Sequence, residues 1–174
     1  MENQRIRLTR KMLKEALVRL LEYKTIDKIT VYELCAEAEI NRTTFYKYYG
    51  SQYDLMADIQ GDFLRELENS LREENRPVSL LYILTYIDTH RDSCTALLRS
   101  AASDGFLERI LSLSLITEQL EQQLSPRYSG FENDYVREFI TFGAYSIVRR
   151  WLMSEQPEPP ECISKLIIDL IEKI

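Results

Sequence analysis

The sequence predicts an all-α protein, and three observations carry that expectation. Apolar residues recur at spacings of three and four, first as Leu13, Ala16, Leu17, Leu20 and Leu21, later as Leu55, Ile59, Phe63 and Leu67. Only five Gly and five Pro punctuate 174 residues. Alternating β-branched runs, the mark of half-buried strands, are scarce. With 45% hydrophobic and 29% charged residues the chain has an ordinary globular composition and is long enough to bury a core.

Residues 2–7 are polar and expected to be flexible, and the first helix is expected over residues 9–22, with Arg10, Lys11 and Lys14 outside its apolar stripe. Residues 23–29 form a short connection whose Ile26 and Ile29 tuck under the domain. Thr30 and Asn41 are N-cap residues, because a short polar side chain accepts a hydrogen bond from an otherwise unpaired backbone N–H. Between the two helices they start lies only the turn Ala38-Glu39-Ile40, the length found in a helix-turn-helix. Leu34, Cys35 and Ala38 face inward on the first of the pair. Phe45 and Tyr49, four apart, share the inner face of the second with Ile40 beside them.

Ser51 caps a long helix expected to reach about residue 75, roughly 37 Å in length, and Arg76-Pro77 ends it. Further helices are expected over 79–89, 93–103 and 106–124, separated by His90-Arg91-Asp92 and by Asp104-Gly105, with a loop over 125–130. The helix expected over 133–153 is apolar on two sides: Val136, Ile140, Gly143, Ile147 and Trp151 form one stripe, Phe139, Phe142 and Ser146 another. A proline-rich break at 155–160 precedes a last helix over 161–173 carrying Ile163, Leu166, Ile167, Leu170 and Ile171.

The net charge of −6 conceals an asymmetry. Residues 1–50 hold ten Lys/Arg against seven Asp/Glu, a balance of +3; residues 51–174 hold twelve against twenty-one, a balance of −9. A basic amino end on an acidic body presents one defined face to phosphate. Cys35, Cys94 and Cys162 are far apart and odd in number, and the chain has one histidine, so neither a disulfide framework nor a metal site is expected. His90 has no nucleophile placed near it by motif, no glycine-rich phosphate loop is present, and no cofactor is implied, all of which speaks against an enzyme. No apolar run approaches the ~18 residues of a membrane span, so the expectation is a cytoplasmic protein without a membrane partner.

Chemistry in excess of folding needs is concentrated in residues 30–55. Once Phe45 and Tyr49 turn inward, Arg42, Thr43, Tyr46 and Lys47 form a basic, hydrogen-bonding outer face on a helix narrow enough for a DNA major groove. Thr30 to Cys35, then Ala38, then Ile40-Asn41-Arg42-Thr43-Thr44-Phe45-Tyr46-Lys47-Tyr48-Tyr49, then Ser51 and Leu55 resemble the tetracycline-repressor (TetR) family of bacterial transcriptional regulators. Two positions depart from that pattern: Glu39 stands where the turn usually carries Gly, and Gln52 where the next helix usually carries Lys. Phe142-Gly143, Trp151-Leu152 and the closing helix are similar to a subgroup of regulators linked to dihydroxyacetone kinase operons.

The resemblance implies a helix-turn-helix DNA-binding domain over residues 1–50 and a helical effector-binding and dimerisation domain over 51–174. It implies a regulator, more often a repressor, that binds a palindromic double-stranded operator as a homodimer. Arg42 and Thr43 are the expected base readers, Tyr46 reads base or phosphate, and Lys47, Tyr48, Thr30 and Thr44 hold phosphate, with Tyr32 a weaker contact. In the family such aromatic residues line an effector pocket, which here points to Tyr82, Tyr86, Phe106, Phe139 and Phe142; at helical spacing the same residues also serve as plain core. The two-sided helix and the last helix together predict a dimer contact through Gly143, Ile147, Trp151, Ile163, Leu166, Ile167 and Leu170. The rival reading keeps the helix-turn-helix shape for a co-regulator that acts mainly through a protein partner.

Overall fold

Every regular element of the computed structural model is a helix among the residues it describes, which are 4–73, 79–98, 105–111 and 130–173. In chain order these are α1 (Gln4–Leu21), a turn of 3-10 helix (Ile26–Lys28), α2 (Val31–Glu37), α3 (Arg42–Phe45) and α4 (Gln52–Glu73). Then follow α5 (Leu80–Thr89), α6 (Arg91–Leu98), α7 (Phe106–Leu111), α8 (Phe131–Leu152) and α9 (Pro160–Lys173). The expected all-α architecture is present. No helix among the described residues is long and apolar enough to cross a membrane.

The chain divides into two compact units. One runs to Arg65 and takes in the stretch beginning at Ala96; the other holds Glu66–Thr95 and the chain from Gly105 on. Helix α4 is common to both.

In the first unit α1 packs on α2, and α2 on α3. Leu13, Ala16, Leu17, Leu21, Ile26, Ile29, Leu34, Phe45 and Leu55 are buried, as their spacing predicts. The start of α1 differs from expectation, because residues 4–7 are helical rather than flexible. Thr9 does not cap: its hydroxyl donates back to the Arg5 carbonyl at 2.9 Å, which places it inside the helix, and Gln and Arg are good helix formers.

In the second unit α9 packs against α5 and α8, and α7 against α8. Its core includes Ile83, Leu84, Ile87, Phe106, Leu107, Ile110, Ile140, Val148 and Leu152. Ser79 caps α5, accepting from the Tyr82 N–H at 3.1 Å. The lone histidine, His90, ends that helix, with Nδ1 2.9 Å from the Tyr86 carbonyl and its ring 4.4 Å from the Tyr86 ring. Trp151 closes the proline-rich break by donating its indole N–H to the Glu158 carbonyl at 2.7 Å. Helix α6 begins at Arg91, two residues before expectation. The expected helix end at 76–77, the remainder of the 93–103 and 106–124 helices, and the loop over 125–129 lie outside the described residues.

Candidate nucleic-acid interface

The helix-turn-helix is assembled by local hydrogen bonds. Thr30 Oγ1 accepts from the Glu33 N–H at 3.2 Å, and Asn41 Oδ1 accepts from the Thr44 N–H at 2.8 Å, so both expected caps are made. Between them the chain reverses at Glu39, whose φ of 53° makes it the single non-glycine residue in the left-handed region among the described residues. The Ile40 N–H then reaches back to the Cys35 carbonyl at 2.9 Å and closes the end of α2. A residue with a β-carbon thus holds the left-handed backbone that the family's usual Gly adopts freely.

Helix α3 is shorter than the sequence suggests. It ends at Phe45 after one α-helical turn. Beyond it the Lys47 and Tyr48 N–H groups bond three residues back, to Thr44 and Phe45, and only Tyr49 returns to a four-residue bond with Phe45. The segment stays coiled in a tighter form, which keeps the expected division of faces. Phe45 is fully buried and Tyr49 nearly so, their ring centroids 5.8 Å apart. Arg42, Thr43, Tyr46 and Lys47 are brought together on the solvent side, and Tyr46 is 52% exposed despite its aromatic ring. Thr44 and Tyr48 are half-buried, Thr30 is exposed, and Tyr32 on α2 is 73% exposed.

Ion pairing divides the cations of the helix-turn-helix. Arg19 is tied to Glu37, and Lys24 to Glu33, whose carboxyl it holds below its ordinary range. Arg42 and Lys47 make no ion pair among the described residues and remain available for an external anion. Cys35, on the buried face of α2, has its thiol pushed up by burial, so it stays neutral and serves as core.

One group of residues beside this face was not expected. Tyr49 Oη donates to Asp58 Oδ2 on α4 at 2.7 Å and accepts from Arg10 Nε on α1 at 3.2 Å. Arg10 also donates to Asp58 Oδ2 at 2.9 Å, and Lys14 Nζ lies 2.7 Å from the same oxygen and pairs with Asp62 as well. The sequence does carry a signal for it, since Arg10 and Lys14 are four apart on one helix and Asp58 and Asp62 four apart on another.

The residues expected in an effector pocket are not gathered together. Tyr82 and Tyr86 are half-buried on α5 and Phe106 is buried on α7, but Phe139 and Phe142 stand in the open at 68% and 52% exposure. The inner face of α8 is Ile140, Val148, Trp151 and Leu152, and helical periodicity turns residues 139 and 142 to the opposite side. There they continue an outward aromatic row that begins with Phe131 and Tyr135. Among the residues expected at a dimer contact, Gly143, Leu166 and Leu170 are exposed and Ile147 is half-buried. Trp151, Ile163 and Ile167 are instead core residues of their own chain, because α9 packs its Ile163/Ile167 face onto neighbours within the unit. Among the described residues no group of His, Cys, Asp and Glu could hold a metal ion.

Residues 74–173 match the family model of a TetR-type transcriptional regulator C-terminal region. Over nearly its whole length the chain has the fold of a TetR transcriptional regulator from Streptococcus agalactiae: 21% identity, TM-score 0.76, 97% of this chain and 96% of that one covered. It is also similar to the dihydroxyacetone kinase operon activator DhaS, with 19% identity, a TM-score of 0.64, and 95% and 94% covered. A curated relative, the uncharacterised HTH-type transcriptional regulator YxbF of Bacillus subtilis, is 22% identical over 171 residues. The match covers 92% of this chain but 44% of that relative, so the chain spans less than half its length.

Proposed function

Because the chain belongs to the TetR family of transcriptional regulators, we propose that it reads a palindromic operator in double-stranded DNA as a two-fold homodimer. In this reading it acts in the cytoplasm, most simply as a repressor. The observation that carries it is the solvent-facing set Arg42, Thr43, Tyr46 and Lys47 on a segment whose other side is locked into the core by Phe45 and Tyr49. Arg42 fits a bidentate contact to guanine and Thr43 a thymine methyl or base acceptor. Lys47, Tyr48, Thr30, Thr44 and Tyr32 fit phosphate, and Tyr46 either role. Residues 1–50 form the reading head and residues 51–174 the effector-binding and dimerisation body.

What supports the dimer is the outward row Phe131, Tyr135, Phe139 and Phe142 on α8, all more than half exposed, with Leu166 and Leu170 on α9 adding to the apolar surface. A contiguous aromatic row in contact with water marks an interaction site. Two heads on a two-fold axis set half-site centres about 34 Å or a multiple apart. Tyr82, Tyr86 and Phe106 remain as residues for a small-molecule effector that would release DNA by favouring a second arrangement of the body.

Selection of bound fragments from genomic DNA, followed by footprinting at several salt concentrations, tests the reading. A protected palindrome whose affinity falls steeply with salt is expected. Protection of no sequence over any other, at any salt, would overturn it in favour of a co-regulator working through a protein partner. The exposed aromatic row would then be that partner's surface.

A further inference from the structure

The Tyr49 ring is buried, and a phenylalanine ring would fill the same space. Packing therefore does not account for its hydroxyl, which sits at the centre of a directional network. One carboxylate oxygen, Asp58 Oδ2, receives Tyr49 at 2.7 Å, Arg10 at 2.9 Å and Lys14 at 2.7 Å. It joins three elements: α1 through Arg10 and Lys14, the end of the reading segment through Tyr49, and α4 through its own backbone. Burial alone would push the Asp58 carboxyl up, but Lys14, Tyr49 and Arg10 outweigh it and hold it down at about 2. The acceptor is thus ionised at neutral pH, and a hydrogen bond to it is short and strongly oriented.

Helix α3 has one α-helical turn, continued by tighter turns to Tyr49, and internal hydrogen bonds hold the coil together without fixing its orientation against the neighbouring helices. Burial of Phe45 sets how deeply the segment sits, yet apolar packing is non-directional and leaves its rotation about that anchor loosely set. The Tyr49 hydroxyl supplies the missing constraint four residues further along. We propose that Asp58 is a positioning residue for DNA reading, acting through the Tyr49 hydroxyl to set the rotation at which Arg42, Thr43 and Tyr46 meet base edges. The inference rests on the DNA-reading function proposed above, and it assigns a role to a residue that touches no nucleic acid. Its consequence is selective. A bidentate contact to a base tolerates only small angular error, whereas a lysine on a phosphate is a flexible point charge that follows the backbone.

The test uses the full chain as wild type, Tyr49→Phe, Asp58→Asn and the double variant. Each is measured for melting temperature, for affinity to the operator selected by the wild type, and for affinity to a random-sequence duplex of equal length. Tyr49→Phe should lower operator affinity about tenfold while random-duplex affinity stays within about twofold, so that the ratio of the two collapses. Asp58→Asn should do the same, and adding Tyr49→Phe to it should cost little more, since the hydroxyl acts through that carboxylate. The proposal is overturned if Tyr49→Phe keeps the wild-type ratio, or if it loses both affinities in proportion. Should Asp58→Asn fail to fold, Tyr49→Phe decides alone, because it removes one oxygen and leaves the ring. A wild type that favours no sequence over the random duplex would instead remove the DNA-reading premise, and this inference with it.

Discussion

The guanidinium of Arg91 lies 4.4 Å over the ring of Trp151 and donates to the Trp151 and Leu152 carbonyls, each at 3.2 Å. These are among the last carbonyls of α8, where the Ser154 N–H reaches back to Trp151 at 3.3 Å, and a cation there also meets the negative end of the helix dipole. Asp88 holds the other side of the guanidinium at 2.8 Å. Arg91→Ala should therefore cost about 2–3 kcal/mol in denaturant unfolding. Arg91→Lys should recover less than half of that, since an ammonium cannot fork to two carbonyls while stacked on a ring. Wild-type stability in Arg91→Lys would show that the planar geometry is immaterial.

If the segment reads DNA as proposed, base reading and phosphate holding should fall on different residues. Arg42→Ala should cost about 1–3 kcal/mol of operator affinity and relax preference at one base pair in each half-site. Lys47→Ala should weaken all sequences alike and reduce the salt slope by about one. Binding curves on a set of single-base operator changes distinguish the two. If Arg42→Ala lowers every affinity equally, Arg42 is a phosphate clamp.

Glu39→Gly should stabilise the protein. A β-carbon in the left-handed region costs roughly 1–2 kcal/mol, while glycine costs roughly 0.5–1 kcal/mol in unfolded-chain freedom. The net gain is on the order of 0.5–1 kcal/mol, a rise of about 1–4 °C in melting temperature for a chain of this size. Calorimetry reads it directly, and an unchanged or lowered midpoint would show that the turn carries no strain.

Gly143 separates folding from association. Apart from the backbone of its own helix, a β-carbon built there meets no atom within 4 Å among the described residues, so Gly143→Leu should not disturb the subunit and should raise helix propensity. If the outward face of α8 is the contact between two copies, the same change should shift sedimentation toward the monomer, and Phe139→Asp should do so more completely. A wild type that sediments as a monomer at micromolar concentration rules the contact out.

Acid should reach the Asp58 network before the core. Its carboxyl is held at about 2 against an ordinary 3.8, a depressed value, so its stabilisation is complete above pH ~4 and lost as pH falls toward 2. With screening by solvent taken into account, about 1 kcal/mol is at stake. Tyr49 moves the opposite way, pushed up to about 12 chiefly by burial, and so remains a neutral donor across that window. The stability difference between wild type and Asp58→Asn should be flat above pH 4 and shrink below it. A difference that persists unchanged at pH 2 would contradict the depressed value.

What could be read from the residues alone was local. Thr30, Asn41 and Ser51 were legible as caps because a cap depends on side chain and backbone within three residues. The left-handed turn at Glu39 was legible only through the resemblance, because Glu39 stands where the family's turn usually carries Gly and glycine is the residue that adopts positive φ freely. The orientation of α8 was not. Both its faces are apolar, so periodicity could not say that Trp151 turns inward while Phe139 and Phe142 turn out; packing against α7 and α9 decides it. The Asp58 network escaped for a related reason, since its two halves lie 39 to 48 residues apart and only the fold brings Arg10 and Lys14 to Asp58 and Tyr49.

The single turn of α3 has an evolutionary corollary. Phe45, Tyr49, the Asn41 cap and the turn before it hold the segment in place, and none of Arg42, Thr43, Tyr46 and Lys47 is among its buried anchors. Substitutions at those four positions therefore fall on the surface, where exchange costs a fold little. If those four residues read DNA as proposed, a lineage built on this scaffold could drift from one recognition sequence to another through four codons, with the rest of the gene under no pressure to follow.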